Sequence, residues 1–132
     1  MALTYSNAVR SAQNEALISF AGTNAIINMY AGTPPASANT AITTQTLLVS
    51  LPIVGAFGTN SNGVITLNSV TPTSATNGGV ATFFRITKSD GTTVVMDGSI
   101  GTSGADLILN TTTIVALQTV SITSGTIIRN NQ

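Results

Sequence analysis

After Gly22 the chain is written almost entirely in short β-branched or aliphatic runs, cut apart by clusters of Gly, Pro, Asn, Ser and Thr. Such punctuation is what a β-sandwich or barrel requires, because each strand must end in residues that let the backbone reverse. Strands are expected over residues 25–30, 46–51, 64–70, 80–87, 93–96, 106–109, 114–117, 119–123 and 126–129. Between them, Gly32-Thr33-Pro34-Pro35, Asn60-Ser61-Asn62-Gly63 and the stretch from Thr71-Pro72 to Asn77-Gly78-Gly79 preset φ or tolerate positive φ. No helical pattern recurs between these strands, which argues against a parallel α/β sheet and for mainly antiparallel pairing. The expected class is all-β, an antiparallel β-sandwich with one short N-terminal helix.

That helix is predicted from Asn7 to about Phe20, where Gly and Pro are absent and Ala, Gln, Glu and Leu are frequent. Val9, Ala12, Ala16 and Phe20 recur near the helical period and predict an apolar stripe. Ser6 or Asn7 is a suitable cap at its start, and Gly22 a suitable stop. The division expected is a helical arm over 1–23 and one β-sandwich domain over 24–132. A chain of 132 residues is long enough to bury roughly two-thirds of its unfolded surface. It has no cysteine, so neither a disulfide framework nor thiolate chemistry is available.

Charge narrows the function classes. Only 6% of the residues are charged and the formal net charge is zero, while the mean hydropathy is positive. Weak colloidal repulsion predicts association. Arg10, Arg85, Lys88 and Arg129 are scattered along the chain, so nucleic-acid binding through clustered cations is not expected. Apolar runs such as Leu47-Leu48-Val49 and Ile114-Val115-Ala116-Leu117 fall far short of the ~20 residues a spanning helix needs, and no membrane partner is expected. The first residues lack the basic start and apolar core of a secretory signal.

Asp90-Gly91, between VATFFRITKS and TTVVMDG, predicts a two-residue type I′ hairpin turn. That register sets Ile86 opposite Val95 and Arg85 opposite Met96. One face then carries Phe84, Ile86 and Val95, the other Phe83, Val94 and Met96. Neither face is cleanly polar. Either the pair is covered on both sides within its own chain, or one face meets a partner.

The chemistry is bounded by absences. With no histidine and no cysteine, the Ser-His-Asp and Cys-His arrangements and the usual zinc ligand sets are unavailable. Neither GxxxxGK[ST] nor GxGxxG occurs. The lone lysine, Lys88, sits at the predicted hairpin tip, where it would be solvated. The carboxylates are Glu15, Asp90, Asp97 and Asp106. The three Asp read as turn chemistry: Asp90 in its turn, Asp97-Gly98 as a second Asp-Gly turn, and Asp106 at the opening of a strand. The alternative is that they converge on calcium, which takes six to eight oxygen ligands. A glycan site would have to manage without tryptophan. No enzyme activity and no cofactor are expected.

The segment RITKSDGTTVVMDGSIGTSGADLILNTTTIVALQTVSITSGTI resembles the C-terminal half of a family of small virion proteins of tailed phages. The shared pattern is an aromatic-Arg strand, SDGT, an apolar strand ending in Asp-Gly, a GTSGAD loop, LNTT and a VS-T-S strand. INMYAGTPPASANTAITTQTLLVSL resembles the front half, with its strand and YxGTxP turn; Ala31 stands where the family often has an acidic residue. The resemblance implies a jelly-roll-like β-sandwich and a protein that cements or decorates the capsid shell by bridging neighbouring shell subunits. Its partners would be the major capsid protein and other copies of itself, and its place the virion, assembled in the host cytoplasm. The runner-up is a tail, neck or fibre component, including a receptor- or glycan-binding module. The residues expected to meet a partner are Val9 and Phe20 on the helix and Phe83, Arg85 and Met96 on the hairpin.

Overall fold

The structure, a computed structural model, describes residues 3–122 and 126–128. Helix α1 (Asn7–Ala21) begins where the Ser6 hydroxyl accepts from the Val9 N–H at 3.2 Å. It ends where Gly22, at φ 69°, donates its N–H to the Ile18 carbonyl. A serine cap and a glycine stop thus satisfy orphan backbone groups at both ends.

The strands follow as β1 (Ile26–Ala31), β2 (Thr46–Pro52), β3 (Gly58–Ser61), β4 (Val64–Leu67), β5 (Thr73–Ser74) and β6 (Gly79–Val80). Then come β7 (Phe83–Thr87), β8 (Val94–Gly101), β9 (Leu107–Ile108), β10 (Thr113–Ile114), β11 (Thr119–Val120) and β12 (Thr126–Ile128). The chain is mostly β, with a five-stranded sheet in the order β2-β1-β7-β8-β9 and a three-stranded sheet β12-β4-β3. To these are added two short ladders, β10-β6 and β11-β5, and the isolated bridges Thr23↔Ala56 and Ile53↔Val70. All pairs are antiparallel except β8–β9, a two-residue parallel ladder. The expected strand ends at Thr123 and Arg129 lie outside the described residues.

Three strand expectations change. The run expected over 80–87 is two strands, β6 and β7, that enter different sheets. Strand β3 was hidden by its polar sequence, GTNS; it pairs with β4 through Ser61↔Val64, closed by Asn62 and Gly63, both at positive φ. That Asn-Gly pair is the two-residue hairpin of the fold. Strand β5 likewise lies within a stretch that reads as turn residues alone.

The Asp90-Gly91 hairpin differs from its expected register. Lys88 donates to the Thr93 carbonyl and Gly91 to the Lys88 carbonyl, so the loop holds four residues and only Gly91 has positive φ. With a bulge between Ile86 and Thr87, Ile86 pairs with Met96 and Arg85 with Asp97. Met96 therefore moves to the face of Phe84 and Ile86 and packs against the core. Asp97-Gly98 is not a turn; it lies inside β8.

Directly opposed residues share a face of a sheet. Val49, Met29, Phe84 and Leu51, Ile27, Ile86 thus line one side of the large sheet and join Phe57, Ile65 and Ala21 in the core. Helix α1 closes this core with Leu17, Ile18 and Ala21. The stripe of Val9, Ala12, Ala16 and Phe20 instead faces outward, and the helix is seated by a polar anchor. Asn14, fully buried, donates to Asn60 Oδ1, while the Asn60 amide donates to the Ser11 carbonyl and to Glu15. A buried amide must be paired to be tolerated, so this clamp seats the helix together with the packing of Leu17, Ile18 and Ala21.

Candidate functional site

On the opposite face of the large sheet a polar row crosses four strands. Ser50, Asn28, Arg85 and Asp97 stand opposite one another on β2, β1, β7 and β8. Ser50 Oγ donates to Asn28 Oδ1 at 2.7 Å, and the Asn28 amide donates to the Arg85 carbonyl at 3.1 Å. Arg85 engages Asp97 as a fork, Nε to Oδ1 at 2.7 Å and Nη2 to Oδ2 at 2.8 Å. Bidentate geometry of this kind is the strongest form of the ion pair.

The same guanidinium reaches the overlying chain. Arg85 Nη2 donates to the Thr40 carbonyl at 2.8 Å and lies 3.3 Å from that of Ser37. The segment 33–40 is thereby held over the sheet, and all five residues of β7 are buried. Beside the row, Tyr30 and Phe83 stack with centroids 5.1 Å apart and planes 12° from parallel. The hydrogen bond that Arg85 donates to Asp97 raises the Arg85 pKa against the opposing effect of burial. Burial raises that of Tyr30, with Arg85 working against it.

A cleft of about 340 Å³ opens between the segment 34–38 and strands β7 and β8, with Pro34, Pro35, Phe83, Asp97 and Ser99 on its walls. The Asp97 carboxylate reaching it is already neutralised by Arg85, so the cleft presents proline and hydroxyl surface with one spent acid. The pair acts as a latch between sheet and strap.

The aspartates do not converge. Asp97 serves Arg85. Asp106 Oδ2 accepts from the Ser99 N–H at 2.9 Å, closing the loop between β8 and β9. Asp90 accepts from the N–H groups of Thr92 and Thr93 at 2.8 and 2.9 Å and from the Thr93 hydroxyl at 2.5 Å. Among the described residues no three His, Cys, Asp or Glu side chains gather as a metal ligand set.

The Thr93 hydroxyl, then the Thr93 and Thr92 N–H groups, bring the Asp90 pKa down from 3.8 to about 2. A depressed carboxylate stabilises the fold above its ordinary pKa, and that contribution is lost as pH falls through about 2. Melting temperatures of wild type and Asp90→Asn should therefore differ above about pH 4 and converge toward pH 2. A difference that stays constant over this window would show that the carboxylate charge does not stabilise the turn.

The residues expected to meet a partner separate into two groups. Phe83 and Arg85 are buried by their own chain, because the strap 33–40 covers the face they occupy, and Met96 lies on the other face. Val9 and Phe20 are exposed on α1, and the Lys88 ammonium lies 4.9 Å above the Phe20 ring. Lys88 is thus drawn onto an aromatic face rather than left at a free tip, a contact worth about 0.5–1 kcal/mol when exposed.

Compared with protein-family models, curated proteins and solved structures, the chain matches none.

What the sequence reading missed is a matter of distribution. No charged residue stands between Glu15 and Arg85, or from Leu107 to Ile122. Among the described residues, every Asp, Glu, Lys and Arg lies on α1 or between Arg85 and Asp106. On the uncharged remainder Val54, Val80, Val115 and Leu117 are more than half exposed. No helix of the described residues is long and apolar enough to cross a membrane. Asn28 was also missed, though a lone Asn in the apolar run IINMY is a signal of a buried hydrogen-bonding role.

Proposed function

We propose that this chain is a non-enzymatic structural virion protein that cements or decorates a phage capsid shell by bridging neighbouring subunits, on a β-sandwich of the jelly-roll kind. The observation that carries this reading is the uncharged surface with its exposed Val54, Val80, Val115 and Leu117. Such a surface favours work done by covering area rather than by chemistry. The resemblance of residues 27–51 and 85–127 to small virion proteins points the same way. A five-stranded and a three-stranded sheet that both contribute residues to one core are compatible with a sandwich. Repetition on a symmetric shell lets each contact be weak, since many act together.

Quantifying the chain against the major shell protein in purified particles tests this. A cement protein should be present in proportion to the shell subunits. Recovery at only a small fraction of that amount would overturn the proposal and favour a tail, neck or fibre component. Absence from the particle would overturn both.

A further inference from the structure

The two sides of the five-stranded sheet end differently. Along β2 the chain closes its own edge: Thr76 and Asn77 donate to the Leu48 carbonyl, the Asn77 side chain to that of Leu47, and Thr71 to that of Pro52. Along β8 it does not. Strand β9 pairs only with Ile100 and Gly101. Among the described residues no strand lies beside residues 94–98 on the side away from β7. In an antiparallel ladder successive residues bond to opposite sides. The Ile100 N–H turns inward to the Thr82 carbonyl, whereas the Ser99 N–H turns outward to Asp106 and the Gly101 carbonyl outward to the Leu109 N–H. Asp97, in phase with Ser99, therefore presents its own N–H and C=O outward.

Edge strands that stay solitary are guarded by lysine, proline, bulges or unpaired charge. Residues 94–101 contain neither Lys nor Pro, and the Asp97 charge is neutralised by Arg85. The bulge of this hairpin lies at its turn end, at Ile86/Thr87, and leaves the pairing from Met96 onward regular. A second observation selects the occupant. The cleft of about 340 Å³ opens on this same edge, with Asp97, Gly98 and Ser99 on one side and Pro34, Pro35 and Phe83 beside them. In an added strand, the side chain opposite Asp97 shares its face of the sheet and so points at the cleft. Two prolines and a phenylalanine suit an aromatic ring there, and the paired carboxylate calls for no cation.

We propose that residues 94–98 of β8 bind an extended segment of another polypeptide as an added strand, with one aromatic side chain seated in the cleft. Main-chain hydrogen bonds supply the affinity in this mode of recognition, and a pocket for an alternate side chain supplies the specificity. The open edge and the cleft meet at Asp97 and Gly98, so one segment satisfies both. The inference stands apart from the virion reading and uses none of the exposed residues on which that reading rests.

The test uses the full chain, isotope-labelled for amide hydrogen exchange, and capped peptides Thr-Val-Thr-Xaa-Thr-Val-Thr with Tyr, Phe or Trp at the centre. A peptide at about ten times its Kd should slow exchange of the Asp97 N–H about tenfold. Methylating alternate backbone nitrogens of the peptide should abolish this in one phase and spare it in the other, because only one edge of the peptide faces β8. Alanine at the centre of the peptide should weaken binding about tenfold or more. So should Ala36→Trp, which fills the cleft from an exposed position and should leave the melting temperature unchanged. Failure of all three peptides to bind at concentrations up to about 1 mM would overturn the proposal. So would binding that survives both phases of methylation. Protection of Asp97 that rises with protein concentration alone would give the edge to a second copy and overturn it as well.

Discussion

Asp97→Ala should destabilise the chain by about 3 kcal/mol, toward the low end of the cost of breaking a buried ion pair. Arg85 is 5% exposed, and among the described residues Asp97 is its only carboxylate partner. Removing the acid leaves a guanidinium in the covered face of the sheet with two backbone carbonyls for company. The Asp97 side chain retains 19% exposure, so water can reach the vacated position and temper the loss. Against a total stability of about 5–15 kcal/mol the effect is large. Urea unfolding measures it directly. Replacing both residues, Arg85→Met with Asp97→Leu, should cost less than Asp97→Ala alone, because no buried charge remains. If the single variant loses under about 1 kcal/mol, the pair is a surface contact and not a latch.

Gly98→Ala should also destabilise, by about 1–3 kcal/mol. Backbone propensity predicts the opposite sign, since alanine in a strand is worth about 0.5–1 kcal/mol more than glycine. Packing reverses it. A Cβ on Gly98 would sit 2.3 Å from Phe84 Cζ and 2.5 Å from Cε1. Phe84 stands directly opposite Gly98 and is itself buried in the core, so its ring lies over the glycine in place of a side chain. Moving the ring would disturb its contacts in the core. Thermal melts should show Gly98→Ala below wild type and a smaller penalty for Gly98→Ala when Phe84 is already Leu. A melting temperature at or above wild type would show that the ring swings aside freely.

These two positions show where reading the chain alone runs out. Asp97-Gly98 has the same two letters as Asp90-Gly91, and both read as turns. Only the second is one. In the first, Asp97 is the counter-ion of Arg85 and Gly98 is the floor beneath Phe84. Dipeptide grammar is local, whereas both of these roles are set by a neighbouring strand. The hairpin register moved for a related reason. Asp90 bonds two N–H groups and a hydroxyl beyond Gly91, which favours a four-residue loop over the two-residue turn. One further bulge then carries Met96 to the opposite face. The helix was legible in position but not in rotation: Val9 and Phe20 point outward because the face that packs on the core carries Leu17, Ile18 and Ala21, with Asn14 bonded to Asn60 beside them. Of the residues expected to face a partner, these two alone are exposed.

By itself the sequence determined what depends on near neighbours. The β-rich class, a helix bounded by Ser6 and Gly22, and the turns at Asn62-Gly63 and Gly91 follow from caps and from residues that accept positive φ. Its shortage of charge and its lack of histidine and cysteine are likewise complete in the one-dimensional record. The tertiary structure decided which acid meets which base and which face the strap 33–40 covers. Those outcomes rest on contacts between residues far apart in the chain, such as Arg85 with Thr40. Chain closure and packing choose them, and no local preference encodes them.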